Sequence, residues 1–166
     1  MGYNGEGEAS YPNGDTYKGP FVEGMRCGKN GIGKQNYEGL GQYYGHWVDG
    51  EKHGEGVMIY SNKDIYSGQW MNGQKDGQGT YVFNDTMMKY VGSFRGGNIT
   101  KGKWVYPNGT FFEGNFDNNM PKGVGKWNFK NGNTVEGLYT QIMRADVDSE
   151  SLKLAWKTLS DLTQAF

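Results

Sequence analysis

The chain is short of the residues that most often carry chemistry. Its 166 residues include one cysteine, two histidines and four prolines. A single thiol, Cys27, excludes an intrachain disulfide. His46 and His53 have no cysteine or carboxylate cluster at ligand spacing, so no metal site is expected. No apolar run is long enough to span a bilayer as a helix, and the chain opens without a secretory signal. The expected compartment is cytosolic or cytoskeletal. Apolar content of 35% is low for a domain built on one core. Aromatic content of 15% argues against disorder, because disordered segments are poor in rings. Net charge is −1, and residues 85–140 carry seven basic side chains against four acidic. That falls short of the basic stripe a nucleic-acid binder presents.

What the chain has instead is glycine, 29 residues of it, interleaved with rings. An aromatic-x-Gly-x-aromatic pattern recurs at Tyr17-Lys18-Gly19-Pro20-Phe21, Tyr43-Tyr44-Gly45-His46-Trp47, Tyr66-Ser67-Gly68-Gln69-Trp70, Tyr90-Val91-Gly92-Ser93-Phe94 and Phe112-Glu113-Gly114-Asn115-Phe116. A worn copy stands at Val135-Glu136-Gly137-Leu138-Tyr139, and the spacings run from 22 to 26 residues. A period of this size marks a repeat array. Alternation at Tyr66, Gly68 and Trp70 puts the three on one face of a strand. A polar turn with Gly73 follows, then Gly77-x-Gly79 opens a return strand, so each unit is a β-hairpin. A lone hairpin is marginal in water, and stacked neighbours supply the rest of its stability.

The strand glycines read as seats for aromatic rings, since a glycine otherwise weakens a strand. Pro12-Asn13-Gly14, Pro107-Asn108-Gly109, Asn131-Gly132 and Ser61-Asn62-Lys63-Asp64 read as turns between units. In the first unit Met25 to Asn30 reads as an insertion. In the Tyr90 unit the glycine pair shrinks to Gly102, leaving the unit one residue short.

Other motifs dissolve on inspection. Gly28-Lys29-Asn30-Gly31-Ile32-Gly33-Lys34 has the glycines and lysine of a phosphate loop, but Gln35 stands where the magnesium-binding hydroxyl belongs. Asp146-x-Asp148-x-Glu150 begins like a calcium loop, but Ser151 replaces its glycine and Lys157 its last acid. Glu6 spoils a myristoylation start at Gly2. No nucleophile stands near a base in the sequence. Neither an enzyme, a cofactor nor a small-molecule substrate is expected.

The units at Tyr43 and Tyr66 match Y-x-G-x-W-x-x-G-x-x-x-G-x-G in full, and that at Phe112 matches with Asn119 for one glycine. On these motifs the chain resembles the MORN (membrane occupation and recognition nexus) family from about Gly5 to Tyr139. The resemblance implies an all-β, elongated, twisted ribbon of stacked antiparallel hairpins. From Lys89 to Tyr139 the array looks like radial spoke head proteins of motile cilia. The implied role is a non-enzymatic scaffold subunit in a ciliary or flagellar axonemal assembly, such as the radial spoke, with protein subunits as partners. The alternative is an adaptor tethering cytosolic partners to membrane lipid, although membrane contact is the less favoured reading.

Three segments are expected: an array over 1–140, a linker over 141–148 and a helix over 149–166. Leu152, Trp156, Leu159, Leu162 and Phe166 fall at helical spacing, which predicts an amphipathic helix docking by that stripe. Tyr43, Trp47, Tyr66, Trp70, Tyr90, Phe94, Phe112 and Phe116 should line one ribbon face, mostly as core, with any uncovered ring area open to a partner.

Overall fold

A computed structural model describes residues 2–27, 31–143 and 152–160. The strands, in chain order, are β1 (Gly5–Ser10), β2 (Thr16–Val22), β3 (Met25–Arg26), β4 (Ile32–Tyr37), β5 (Gly41–Val48), β6 (Glu51–Tyr60), β7 (Ile65–Met71), β8 (Gln74–Val82), β9 (Lys89–Arg95), β10 (Asn98–Val105), β11 (Phe111–Asp117), β12 (Met120–Asn128), β13 (Thr134–Met143) and β14 (Leu152–Thr158). They form one antiparallel sheet in chain order, with β3 pairing β2 off the main path. Apart from β2 with β4, every pairing joins strands consecutive in the chain, so the all-β hairpin ribbon expected from the repeats is what forms.

Within the hairpins the connection is a two-residue turn with both residues at positive φ: Glu23-Gly24, Asp49-Gly50, Asn72-Gly73, Gly96-Gly97 and Asn118-Asn119. These are type I′ turns, whose twist matches the flanking strands. Between hairpins a second turn repeats. Tyr11, Tyr60, Tyr106 and Phe129 each donate their backbone N–H to the carbonyl four residues on, at 2.9 Å in all four cases. Asn13, Asn62, Asn108 and Asn131 close these turns by accepting a backbone N–H from two residues later.

Gly45↔Gly56, Gly56↔Gly68, Gly68↔Gly79, Gly79↔Gly92, Gly92↔Gly102, Gly102↔Gly114, Gly114↔Gly125 and Gly125↔Gly137 are cross-strand partners. A line of glycine thus crosses the sheet, and rings lie on it. A Cβ at Gly45 or Gly56 would strike the Tyr43 ring, one at Gly68 or Gly79 that of Tyr66, and one at Gly114 or Gly125 that of Phe112. The seat is shared: each ring covers the glycine two residues on in its own strand and that glycine's partner.

The other glycine of each pair has a different job. Gly54, Gly77 and Gly123 have φ of 62°, 103° and 80° and lie where the register shifts by a bulge. Glycine reaches that conformation without steric strain. In the Tyr90 unit the shift between Ile99 and Lys101 takes up a single extra residue, which is the shortfall expected there.

Over residues 152–158 the expected helix is not formed, and only Leu159 and Ser160, which follow, have helical backbone among the described residues. Residues 152–158 are the strand β14, which pairs with β13 from Gly137↔Thr158 to Met143↔Leu152. LKLAWKT fits both periods: Leu152, Ala155 and Trp156 suit a helix, while Leu154 and Trp156 alternate with Lys153, Lys157 as in a strand. The unpaired edge of β13 offers a row of backbone hydrogen bonds to a strand and none to a helix, and this tips the choice. Strand β13 also runs to Met143, into the stretch read as linker. The rest of that linker, residues 149–151 of the expected helix, and Leu162 and Phe166 of the docking stripe lie outside the described residues. Leu159 follows β14 and is partly exposed.

Candidate interaction surface

One face of the ribbon carries the rings. Within units, Tyr17 meets Phe21, Tyr43 meets Trp47 and Tyr66 meets Trp70 edge-on, with centroids 5.1 to 5.2 Å apart. Between units, Tyr17 meets Trp47 at 5.4 Å, Tyr43 meets Trp70 at 5.2 Å, Tyr66 meets Phe94 at 5.0 Å and Tyr90 meets Phe116 at 5.6 Å. Each first ring therefore binds its own hairpin to the next. The Tyr17, Tyr43 and Tyr66 hydroxyls donate to the carbonyls of Pro20, His46 and Gln69. The Trp47 and Trp70 indoles donate to Gly33 and Gly56.

These contacts settle where the expected face residues sit. Tyr43, Trp47, Tyr66, Trp70, Phe94, Phe112 and Phe116 are between 0% and 6% exposed. They are core, with at most 6% of any one of them exposed. Tyr90 is the exception and is half-buried. A Cβ at Gly92 or Gly102 would first meet the backbone of the facing strand, and the Tyr90 hydroxyl reaches the Asn119 carbonyl at 2.7 Å. Beside it lies a cavity of about 240 Å³ walled by Lys75, Tyr81, Phe83, Tyr90, Phe94 and Asn119. At the far end Trp156 fills the role Val135 cannot. Its indole lies against Gly137, with Tyr139 at 4.7 Å and Phe112 at 6.1 Å. Trp156 thus packs within the chain, and it does so from a strand.

Above the core runs a row of cations that the repeat motif gave no reason to single out. Arg26, Lys52 and Lys75 each stand two residues after a turn glycine: Gly24, Gly50 and Gly73. The Arg26 guanidinium lies 4.6 Å from the Trp47 ring centre and 5.6 Å from that of Tyr11. The Lys52 ammonium is 4.4 Å from Trp70 and 5.4 Å from Tyr37. That of Lys75 is 4.8 Å from Tyr81 and 5.8 Å from Phe94. Each cation is held between a buried inner ring and a half-buried outer tyrosine, a favourable electrostatic arrangement.

The three slots are equivalent, because the next turn glycine donates its N–H to each cation's own carbonyl: Gly50 to Arg26, Gly73 to Lys52 and Gly97 to Lys75, at 2.8 to 3.0 Å. Arg26 also donates to Gln35 Oε1 and to the Gly50 carbonyl. Neither the Lys52 nor the Lys75 ammonium has an ion pair or hydrogen bond among the described residues; the ion pairs there are Lys18–Glu8, Lys122–Asp117 and Lys126–Glu136. Burial pushes Lys52 down to about 8, and repulsion from Lys75 and Arg26 adds to this. Burial lowers Lys75 as well. The detectable signal in the sequence was a basic residue at one offset from three turn glycines.

Beyond the cations, Asp64 is buried and fully engaged. It accepts the Tyr81 hydroxyl at 2.8 Å, the Asn62 amide at 2.9 Å and the Asn84 backbone N–H at 2.8 Å. Burial alone would raise its pKa, but these three donors outweigh it and hold the carboxyl below its ordinary value. It locks one turn to the next. His46 meets the Glu55 carbonyl at 3.1 Å. Among the described residues no three histidine, cysteine or carboxylate side chains gather as a metal site.

A sequence profile described as MORN repeat matches residues 2–16, 43–65, 66–88 and 112–134. No individual curated protein matches the chain.

Proposed function

Because the chain belongs to the MORN repeat family, whose arrays are in general interaction scaffolds toward proteins or membranes, we propose that it is a non-enzymatic scaffold subunit that joins proteins in a ciliary or flagellar axonemal assembly. The observation that supports a scaffold is the division of labour on the ring-bearing face. The large rings are used up in holding hairpin to hairpin, and among the described residues the Lys52 and Lys75 ammoniums above them have no ion pair or hydrogen bond. Such a face suits recognition of an extended partner better than catalysis, which needs converging groups in a cleft. The axonemal setting, with the radial spoke as its closest instance, is supported by the resemblance of Lys89 to Tyr139 to radial spoke head proteins.

The test is recovery of partners from ciliary extract on the intact chain, with and without anionic lipid vesicles. Axonemal subunits bound without lipid are expected. Recovery that needs lipid would replace this reading with the membrane adaptor, and recovery of no axonemal subunit would remove the ciliary setting.

A further inference from the structure

We propose that the row Arg26, Lys52, Lys75 is a docking site for an acidic segment of a partner protein in polyproline II conformation, with a carboxylate at every third residue. This rests on the scaffold reading above and names the partner's chemistry.

The first argument is spacing. Equivalent positions in successive hairpins are two strands apart, and adjacent strands lie about 4.8 Å apart, so successive cations repeat at about 9.6 Å across the sheet. A polyproline II helix has three residues per turn and a rise of about 3.1 Å, a repeat of about 9.3 Å. Residues i, i+3 and i+6 of such a segment fall on one side and meet three successive slots. An extended β-segment covers a similar distance in three residues but turns alternate ones to opposite sides. It cannot present three carboxylates in register.

The second argument is the lining. Outer rings Tyr11, Tyr37 and Tyr81 flank the cations and are half-buried. Aromatic-lined grooves are the usual seats of proline-rich segments, whose preformed shape loses little entropy on binding. The third argument is charge. Lys52 and Lys75 are partly withdrawn from water with no counter-ion among the described residues, and a carboxylate arriving between the tyrosines would supply one. A membrane surface fits less well. Its headgroups call for extended, exposed basic side chains, whereas these are recessed between rings.

Trp47 and Trp70 lie directly under Arg26 and Lys52, so their emission reports occupancy. The intact chain would be titrated at neutral pH with Glu-Pro-Pro repeats, with Glu-Pro repeats of equal charge, with Lys-Pro-Pro repeats and with anionic lipid vesicles. Glu-Pro-Pro should bind about tenfold tighter than Glu-Pro, and Lys52→Met should weaken it about tenfold, the scale of one lost charge-assisted contact. Salt should weaken it too. Equal binding of the two spacings, no binding of Glu-Pro-Pro, or a response to vesicles alone would overturn the proposal.

If Lys52→Met does not fold, the spacing series on the unaltered chain decides the matter. Should Glu-Pro-Pro bind while no axonemal subunit is recovered, the ciliary reading fails and the docking site stands. Should axonemal subunits bind Lys52→Met as well as the unaltered chain, the reverse holds.

Discussion

The position two residues after the hairpin turn is filled in two ways along the ribbon. In the first three units it holds Arg26, Lys52 and Lys75; in the next two it holds Ile99 and Pro121. Ile99 is 1% exposed and Pro121 is fully buried, so in the later units this slot is ordinary core. The backbone is nearly the same in both regions, with type I′ turns and paired glycines throughout. The fold therefore does not need a cation there. Burial drives Lys52 down to about 8, and repulsion from Lys75 and Arg26 adds to this, so the fold disfavours its charged form. The later half uses the slot for stability. The earlier half keeps a charge there at some cost to stability, and recognition of an anionic partner would account for that.

The largest expected effect concerns what the two halves share. Gly56→Val would drive a side chain into the Tyr43 ring and should destabilise by about 3 kcal/mol or more, at the upper end of overpacking. Ser67→Val, on the exposed face, should change stability by less than about 0.5 kcal/mol. Thermal melting distinguishes them, and equal tolerance would remove the ring-seat account from both halves.

Next comes the slot itself. Ile99→Lys would bury a cation at a site that is 1% exposed, where the Asn119 amide oxygen already accepts the Ile99 backbone N–H. It should cost about 3 kcal/mol or more, as an unpaired buried charge does. A mild effect would mean that the slots of the two halves are interchangeable and that the comparison has no force. At the C-terminal end, Trp156→Ala should cost about 3 kcal/mol, the low end for a large aromatic, because the indole is only partly buried. An unchanged melting temperature would show that β14 does not close the ribbon.

Much of this was legible in the residues and some was not. Glycines and rings recur at the same offsets, so hairpins, turns and ring seats followed from Tyr66, Gly68, Trp70 and Gly79 alone. The single extra residue at the Tyr90 bulge was legible as a missing glycine. Two things were hidden. Leu152 to Thr158 satisfies helical and strand periods alike, and only the open edge of β13 decides between them. Lys52 and Lys75 fall in the polar link of a hairpin and are not singled out there, because nothing local shows that the next hairpin brings Trp70 and Phe94 beneath them.

The pH dependence sharpens the contrast with a smaller effect. Lys52 is protonated in both states below about 8 and is depressed only in the fold. Between about 8 and its unfolded value near 10.5 the unfolded chain binds the extra proton, so stability rises with pH. The tyrosines act in the opposite sense. Burial raises Tyr17 and Tyr37 to about 12 and lifts Tyr43 and Tyr66 as well. Above about 10 the unfolded chain loses those protons first, and stability falls. Denaturant midpoints should therefore peak near pH 10, and Lys52→Met should flatten the rise without altering the fall. A midpoint that declines steadily from pH 8 would contradict the burial of Lys52.

The most direct measurement is thermal unfolding of the chain carrying Lys52→Met together with Lys75→Met, at neutral pH. Methionine keeps the stem and its contact with the rings while removing the charge, and an apolar replacement of a poorly compensated buried charge is commonly neutral or stabilising. The melting temperature should equal that of the unaltered chain or exceed it by a few degrees, on the scale of about 1 kcal/mol. A fall of more than about 5 degrees would mean that the cations hold the ribbon together, and the claim that they are kept for a partner would not survive.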